Sequence, residues 1–545
     1  MEEMIFNNPA PHPPWSVYKD GAAVEADYKH QGYKAMVPER WRHHLDYLIT
    51  LLGGSIGSGS LIKFPYLCMR NGGGAFLIPY ILFTFIGAVP CVFLEMVIGQ
   101  LSQTGPINVW NLCPPFKGIG FGIALVMWLY VTYYMAIFAW FMYYFQALQM
   151  TDGLEHLGGI RWPLVGLMGV TCVIMFLFIF QGIRVSGKVV YVTVGVPILL
   201  LLVFLIQGCL LPGSADGIYF YVYPKFEKLL EPGMWIEACS LALYSLNIAM
   251  GNIITMAGHN KITNNCFRDV LIVSIADMLC LIFVGFAFFA IIGHVAYLRG
   301  VPVEAFESSG FNLAFIVYPE VMAYLPLPHV WSAMTFLALM TLEVDSMLPG
   351  LEIMIAAVED VFRGLAKRRW VVICVILLSN FLFALPCTTQ GGIYIVTLVD
   401  WYTYFPAVAV FAMLECFVVS WCYGLERLNR DISAMWGKKV PRAMMLSIKY
   451  VCPLLLLAIF CYSIYSYRPP KYGDYIYPTW ATGVGWLISS ISIIQLPIVF
   501  IWTLYHTPGS TLKEKLRTSL QPSVQWRQRA TFDMNTLQPM QSLEG

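Results

Sequence analysis

The residues of this 545-residue chain that could do chemistry are ionisable and hydroxyl side chains set inside long apolar runs. Asp277, Glu343, Asp345 and Asp400 place carboxylates in such runs, and Lys63 places a cation in another. A charge in hydrocarbon is costly unless it faces a cavity or a partner, so each is a candidate for ion or solute binding. Asp345 is followed by Ser346, an acid beside a hydroxyl, which suits a hard cation that takes oxygen ligands. The competing reading for every acid is a structural pair that only fixes helix register, and Glu95, Glu352 and Glu415 are assigned that role. Tyrosines crowd one run (Tyr130, Tyr133, Tyr134, Tyr143, Tyr144). Most of these are packing and interface anchors, but one hydroxyl turned inward could hold a carboxylate.

The element that must position these groups is the stretch GGSIGSGSLIKFP at 53–65. Glycines 53, 54, 57 and 59 each cost a helix roughly 1 kcal/mol relative to alanine. The serines between them offer the backbone alternative partners. Opened backbone at membrane depth survives only where protein or a polar cavity covers it, and glycine-broken spans of this kind point to a midplane site for a solute and its coupling ions. Small residues that merely let two helices approach closely would look similar; Lys63 in the same span favours the functional reading. The run ALYSLNIAMGN at 242–252 repeats the anomaly, with Ser245, Asn247, Gly251 and Asn252 in an otherwise apolar span.

Composition agrees with a membrane location. The chain is 58% hydrophobic and only 12% charged, against about 25% charged in soluble proteins. A net charge of +1 gives no case for nucleic acid. No Walker loop, G-x-S-x-G elbow or H-E-x-x-H occurs, so no enzyme is expected. The 14 cysteines are scattered and read as small hydrophobes. No N-x-[ST] acceptor is found, and the proline-rich start lacks a signal-peptide pattern, so the first span is expected to direct insertion.

Twelve spans are predicted: 43–69, 75–103, 117–149, 163–181, 187–211, 234–257, 267–298, 329–362, 370–386, 393–424, 443–467 and 481–506. Links rich in Lys and Arg at 181–188, 258–269, 363–369 and 425–442 lie on one side, while Glu304, Glu307 and Glu320 lie in the 299–328 loop on the other. The positive-inside rule then puts both termini in the cytoplasm. The broken spans are the first and sixth, five apart and so of opposite orientation, the pattern of an inverted repeat of spans 1–5 against 6–10. The expected organisation is an N-terminal tail (1–40), a transporter domain (41–506; repeats about 43–211 and 234–424, then spans 11 and 12 over 443–506) and a polar, poorly ordered C-terminal tail (507–545).

The motifs FPYLCMRNGGGAFLIPY (64–80), GAVPCVFLEMVIGQ (87–100), HNKITNNCFRD (259–269), VDSMLPGLE (344–352) and YIVTLVDWYTYFPAV (394–408) resemble those of the neurotransmitter:sodium symporters, the solute carrier 6 transporters. The chain is similar to the amino-acid branch of that family, as a divergent member, over roughly 41–465. The resemblance implies an all-α polytopic fold of twelve transmembrane helices, a LeuT-like 5+5 inverted repeat with helices 1 and 6 broken. That family is also the usual illustration of the broken-helix argument.

Carried over by position, the resemblance implies a sodium site at Gly53, Ile56, Leu342, Asp345 and Ser346, all competent. It implies another at Ser55, Ser60, Ser245 and Asp277, where two asparagines of the family have become Ser60 and Asp277. Chloride-dependent members surround the anion with residues that fall here on Tyr80, Leu241, Ser245, Asp277 and Leu281. Two leucines offer no donor and a carboxylate repels an anion, so chloride is not expected and Asp277 supplies the negative charge. The implied substrate site is Gly57, Ser58, Gly59, Tyr130, Tyr134, Tyr244, Asn247, Met250 and Met347. Gly57 stands where amine transporters carry an aspartate. The implied gates are Lys63 with Asp400 outside and Asp360 with His259 inside, with Arg40 or Arg42 in place of the family's arginine, whose position is Pro38.

The function expected is sodium-coupled symport of a neutral amino acid or related small solute by alternating access, at the plasma membrane. The alternatives are a non-transporting sensor or scaffold of the same fold, favoured by the altered gates, and a proton-coupled transporter using Asp277. Expected partners are the solute, sodium and the lipid bilayer; a homo-oligomer is left open.

Overall fold

In a computed structural model, the structure describes residues 40–143, 153–303 and 327–526, apart from positions 156, 181, 363, 405, 438, 473, 474 and 525. Glu304, Glu307 and Glu320, with most of the 299–328 loop, lie outside the described residues.

The described chain is mostly helical, with one antiparallel ribbon of two short strands, Lys471–Tyr472 and Tyr475–Ile476. Its helices are α1 (His44–Ser55), α2 (Ser58–Arg70), α3 (Gly74–Phe83), α4 (Val89–Ser102), α5 (Gly118–Tyr143), α6 (Trp162–Ile179), α7 (Ile183–Leu210), α8 (Ser214–Val222), α9 (Pro232–Ser245), α10 (Asn252–Gly258) and α11 (Cys266–Arg299). After them come α12 (Pro328–Val361), α13 (Arg369–Ala384), α14 (Gly392–Tyr404), α15 (Ala407–Phe417), α16 (Leu425–Trp436), α17 (Arg442–Leu446), α18 (Cys452–Tyr465), α19 (Thr479–Ile493), α20 (Gln495–His506) and α21 (Leu512–Ser519).

Among the described residues ten helical runs are long and apolar enough to cross a bilayer, and the bent pair α1 and α2 makes an eleventh. The expected sixth span misses that measure because it is split into a 14-residue and a 7-residue helix, α9 and α10. The outer faces carry large apolar side chains: Leu210 is 76% exposed, and Leu199, Leu378, Ile501 and Trp502 are exposed too. A continuous apolar surface of this extent belongs in lipid.

Two long helices, α5 and α12, pack against each other at the centre, and α7, α11 and α4 enclose the broken pairs against them. Bends have local causes. Pro90 has no N–H for the carbonyl of Ile86, four residues back. A π-turn forms at Thr84–Ala88, and the orphaned Ile86 carbonyl accepts from Ser447 Oγ at 2.6 Å, itself in the π-turn Ser447–Val451.

The expectation of a poorly ordered C-terminal tail is corrected as far as residue 526. Helix α21 forms, Ser523 N donates to Asn111 O at 2.9 Å, and Trp526 is buried with its indole N–H 3.3 Å from Tyr423 Oη. One tryptophan supplies the apolar anchor that the polar composition of the tail hides.

Candidate functional site

The first break lies between α1 and α2, whose axes bend by 51°. Ile56 leaves the helix (φ −81°, ψ 60°) and Gly57 is extended (φ −81°, ψ 161°). The new helix begins at once: Gly57 O accepts from Ser60 N and Leu61 N. The last carbonyls of α1 and the first N–H groups of α2, those of Ser58 and Gly59, thus lack intrahelical partners and carry the partial charges of helix ends.

The second break covers 246–251, between α9 and α10. Asn247 (φ 53°) and Ala249 (φ 58°) hold left-handed backbone that non-glycine residues seldom adopt, and Gly251 (φ 78°) follows. Such strain persists only where surroundings enforce it. Here fully buried Glu95 does so, its Oε1 accepting from Ala249 N at 2.7 Å. The Asn247 amide donates to Gly54 O and so ties the two breaks together. The structural role expected of Glu95 is therefore specific: a carboxylate capping the unwound strand. Glu352 also acts structurally, paired with Arg369, which lies 3.6 Å from Glu359 as well.

The predicted cation ligands gather at these breaks. A Cβ on Gly53 would lie 3.3 Å from Asp345 Cγ, and one on Gly57 would lie 2.8 Å from Ser346 Oγ, so both glycines admit α12 to the break. Ile56 and Leu342 pack together in one small buried cluster beside them. Asp345 is 1% exposed; Thr193 donates to its Oδ1, while Oδ2 has no hydrogen-bond partner. Pro349 leaves the Asp345 carbonyl without its usual i+4 donor. A buried carboxylate oxygen with no donor, among free backbone carbonyls, fits a hard cation such as sodium.

Around the other predicted set, Asp277 is 1% exposed with Oδ1 unpartnered, and the Tyr80 hydroxyl is buried and unpartnered too. Both flank the Ser245 hydroxyl. Ser245 and Ser55 donate to carbonyls of their own helices (Ala242 O, 3.3 Å; Leu51 O, 2.9 Å), so their oxygens remain free to accept. Ser60, Leu241 and Leu281 are buried.

Above Gly59 two hydroxyls converge. A Cβ there would meet Tyr244 Oη at 2.5 Å and Tyr134 Oη at 3.2 Å. Tyr130 packs on Tyr134 with ring centroids 4.0 Å apart, and Tyr404 closes on both Tyr130 and Tyr244. Met250 and Met347 are buried in the surrounding core.

The predicted gates differ in detail from an ion pair at each end. Lys63 Nζ lies 4.0 Å over the Tyr244 ring and 5.5 Å from Tyr404, while Asp400 accepts from Tyr133 Oη at 2.8 Å. Asp360 accepts from three backbone N–H groups, Gly105 (3.3 Å), Ile107 (3.1 Å) and Asn108 (2.8 Å), and from the Asn108 amide (2.9 Å). Neither Arg40 nor Arg42 is among its partners. Trp41 instead clamps this end of α1 to the end of α10, through Met256 O (3.1 Å) and His259 O (3.4 Å), and His44 meets Asp269 at 3.0 Å.

Sequence reasoning missed Thr193 and Tyr404, the pairing of Tyr133 with Asp400, and what Glu95 caps. Thr193 was visible only as a hydroxyl in an apolar span; Tyr404 stood inside a quoted motif without a role.

The comparisons point the same way. The profile of the sodium:neurotransmitter symporter family matches residues 38–148 and 145–507. The sodium-dependent dopamine transporter of Bos taurus is 32% identical over 538 aligned positions, covering 89% of this chain and 78% of the relative. The sodium- and chloride-dependent glycine transporter 2 of Xenopus laevis is 31% identical, covering 89% and 72%. With two broken helices, buried acids at both breaks and this likeness along nearly all its length, the chain belongs to the sodium:neurotransmitter symporter family.

Proposed function

We propose that this sodium symporter carries a small neutral amino acid or a related carboxylate-bearing solute, without chloride, by alternating access at the plasma membrane with both termini cytoplasmic. The observation that carries the substrate class is the geometry at Gly59. Gly59, in the first turn of α2 where N–H groups lack intrahelical partners, has the hydroxyls of Tyr134 and Tyr244 close by, a set of donors suited to a carboxylate. Gly57 offers no acid to an amine. Tyr130, Asn247, Met250 and Met347 bound the remaining volume and favour small or medium solutes.

Sodium would be held by the carbonyls of Gly53, Ile56 and Leu342 with Asp345 and Ser346, and by Ser55, Ser60, Ser245 and Asp277. One relative is named for chloride dependence. In this chain the leucines at 241 and 281 give an anion nothing to bind, and Asp277 repels it by about 4 kcal/mol at 4 Å and an effective dielectric of 20. Asp277 then provides the fixed negative charge.

A sensor or scaffold that binds ligand without moving it is the second reading. It is favoured by Asp360, whose carboxylate is taken up by the 105–108 backbone. Proteoliposomes with independently set sodium, chloride and pH, offered a labelled amino-acid panel, separate the two. Sodium-driven accumulation that is indifferent to chloride supports symport; ligand-dependent thermal stabilisation without flux supports the sensor.

A further inference from the structure

The cation site beside Asp345 has a neighbour that no expected ligand set includes. Helix α7 turns Val190, Thr193 and Val194, spaced i, i+3 and i+4 on one face, toward the break between α1 and α2. Side-chain atoms of Val190 and Val194 would lie 3.2 and 2.7 Å from a Cβ on Gly53. Between them Thr193, 6% exposed, gives its hydroxyl to Asp345 Oδ1. The Val189 carbonyl, at 3.2 Å, is the other acceptor of that hydroxyl, and the carboxylate is the stronger of the two.

We propose that Thr193 is a positioning residue for the cation: it holds one oxygen of Asp345 so that the unpartnered Oδ2 stays turned to the broken backbone. The inference rests on the proposed reading of Asp345 as a sodium ligand. The physical reason is the softness of the terminal torsion of aspartate, which has broad, nearly two-fold wells. A carboxylate without a fixed donor exchanges its oxygens and spreads over orientations; one directional donor removes that freedom before any ligand arrives. The donor sits on α7, which supplies no ligand itself. The carboxylate is therefore set only while α7 is seated on α1 and α12, and withdrawal of α7 releases Asp345 and the site together.

The test uses purified full-length protein in lipid nanodiscs and follows its thermal unfolding as sodium replaces choline at constant ionic strength. Wild type is expected to gain stability with sodium, as any ligand of the native state requires. Thr193→Val keeps the shape and removes the donor. It should raise the half-maximal sodium concentration about tenfold, the effect of one hydrogen bond to a charged group, on top of a lower sodium-free midpoint from leaving the buried Asp345 carboxylate without a donor. Thr193→Ser should restore the wild-type sodium dependence and Thr193→Cys, a weak donor, should fall between. If the valine variant does not fold, the serine–cysteine difference carries the test. Thr171→Val removes another buried hydroxyl, bonded to Leu167 O on α6, and should leave the sodium dependence alone. A lowered midpoint at every sodium concentration with an unmoved half-maximal value would make Thr193 merely structural and overturn the proposal. A wild type that does not respond to sodium would instead overturn the cation site itself.

Discussion

Replacing Asp277 by asparagine tests the electrostatics of the site with little change of shape. Asp277 is 1% exposed on α11, has one oxygen without a partner, and flanks the Ser245 hydroxyl together with Tyr80. A cation held about 4 Å from that carboxylate gains about 4 kcal/mol at an effective dielectric of 20, or about a thousandfold in affinity. Asp277→Asn should therefore raise the sodium concentration for half-maximal uptake by two to three orders of magnitude, taking that figure as an upper bound. Chloride should not rescue it, because Leu241 and Leu281, both buried around the same site, add no donor. Adding Leu241→Gln and Leu281→Ser to Asp277→Asn should make uptake chloride-dependent. The assay is sodium titration of solute uptake in chloride and in gluconate media. If Asp277→Asn in gluconate keeps the wild-type sodium dependence, the reasoning about a fixed charge is wrong.

Other expectations follow from single contacts. Gly59→Ala places a methyl 2.5 Å from Tyr244 Oη and should cut uptake at least about tenfold. Combined with Tyr244→Phe, its loss should be less than the sum of the two, since the residues are in contact. Glu95→Ala leaves the Ala249 N–H of the strained loop without its acceptor and should destabilise the fold by about 1–3 kcal/mol, read as a lower unfolding midpoint, whereas Glu95→Gln keeps an acceptor and should lose less. Lys63→Met removes a cation over the Tyr244 ring, a contact of about 1–2 kcal/mol. Its loss should lower the unfolding midpoint correspondingly in a thermal-unfolding assay, and Lys63→Arg, which keeps a cation over the ring, should lose less.

The two breaks were legible because glycine and polar residues in an apolar span contradict an unbroken helix at membrane depth. Both appear where expected, at 56–57 and 246–251. The gathering of Gly53, Gly57, Asp345 and Ser346 was legible only through family resemblance, since nothing local says which face of α12 meets the first break. Partners contributed by distant spans were not legible at all. Thr193 and Asp345 are 152 positions apart, and Glu95 and Ala249 are 154 apart; only packing joins them. The inner acid Asp360 was singled out by position as a gate, but its partners, three backbone N–H groups and the Asn108 amide, were not legible. Trp526 shows the opposite failure, where average polarity hid one decisive apolar contact.

The central claim is solute transport coupled to sodium and independent of chloride. Its most direct measurement is uptake of a labelled neutral amino-acid pool into proteoliposomes holding the full chain, with an inward sodium gradient and chloride replaced by gluconate on both sides. The account predicts accumulation above equilibrium that collapses when the sodium gradient is removed and is unchanged when chloride is restored. Accumulation that appears only with chloride, or no accumulation with correctly inserted protein, would contradict it.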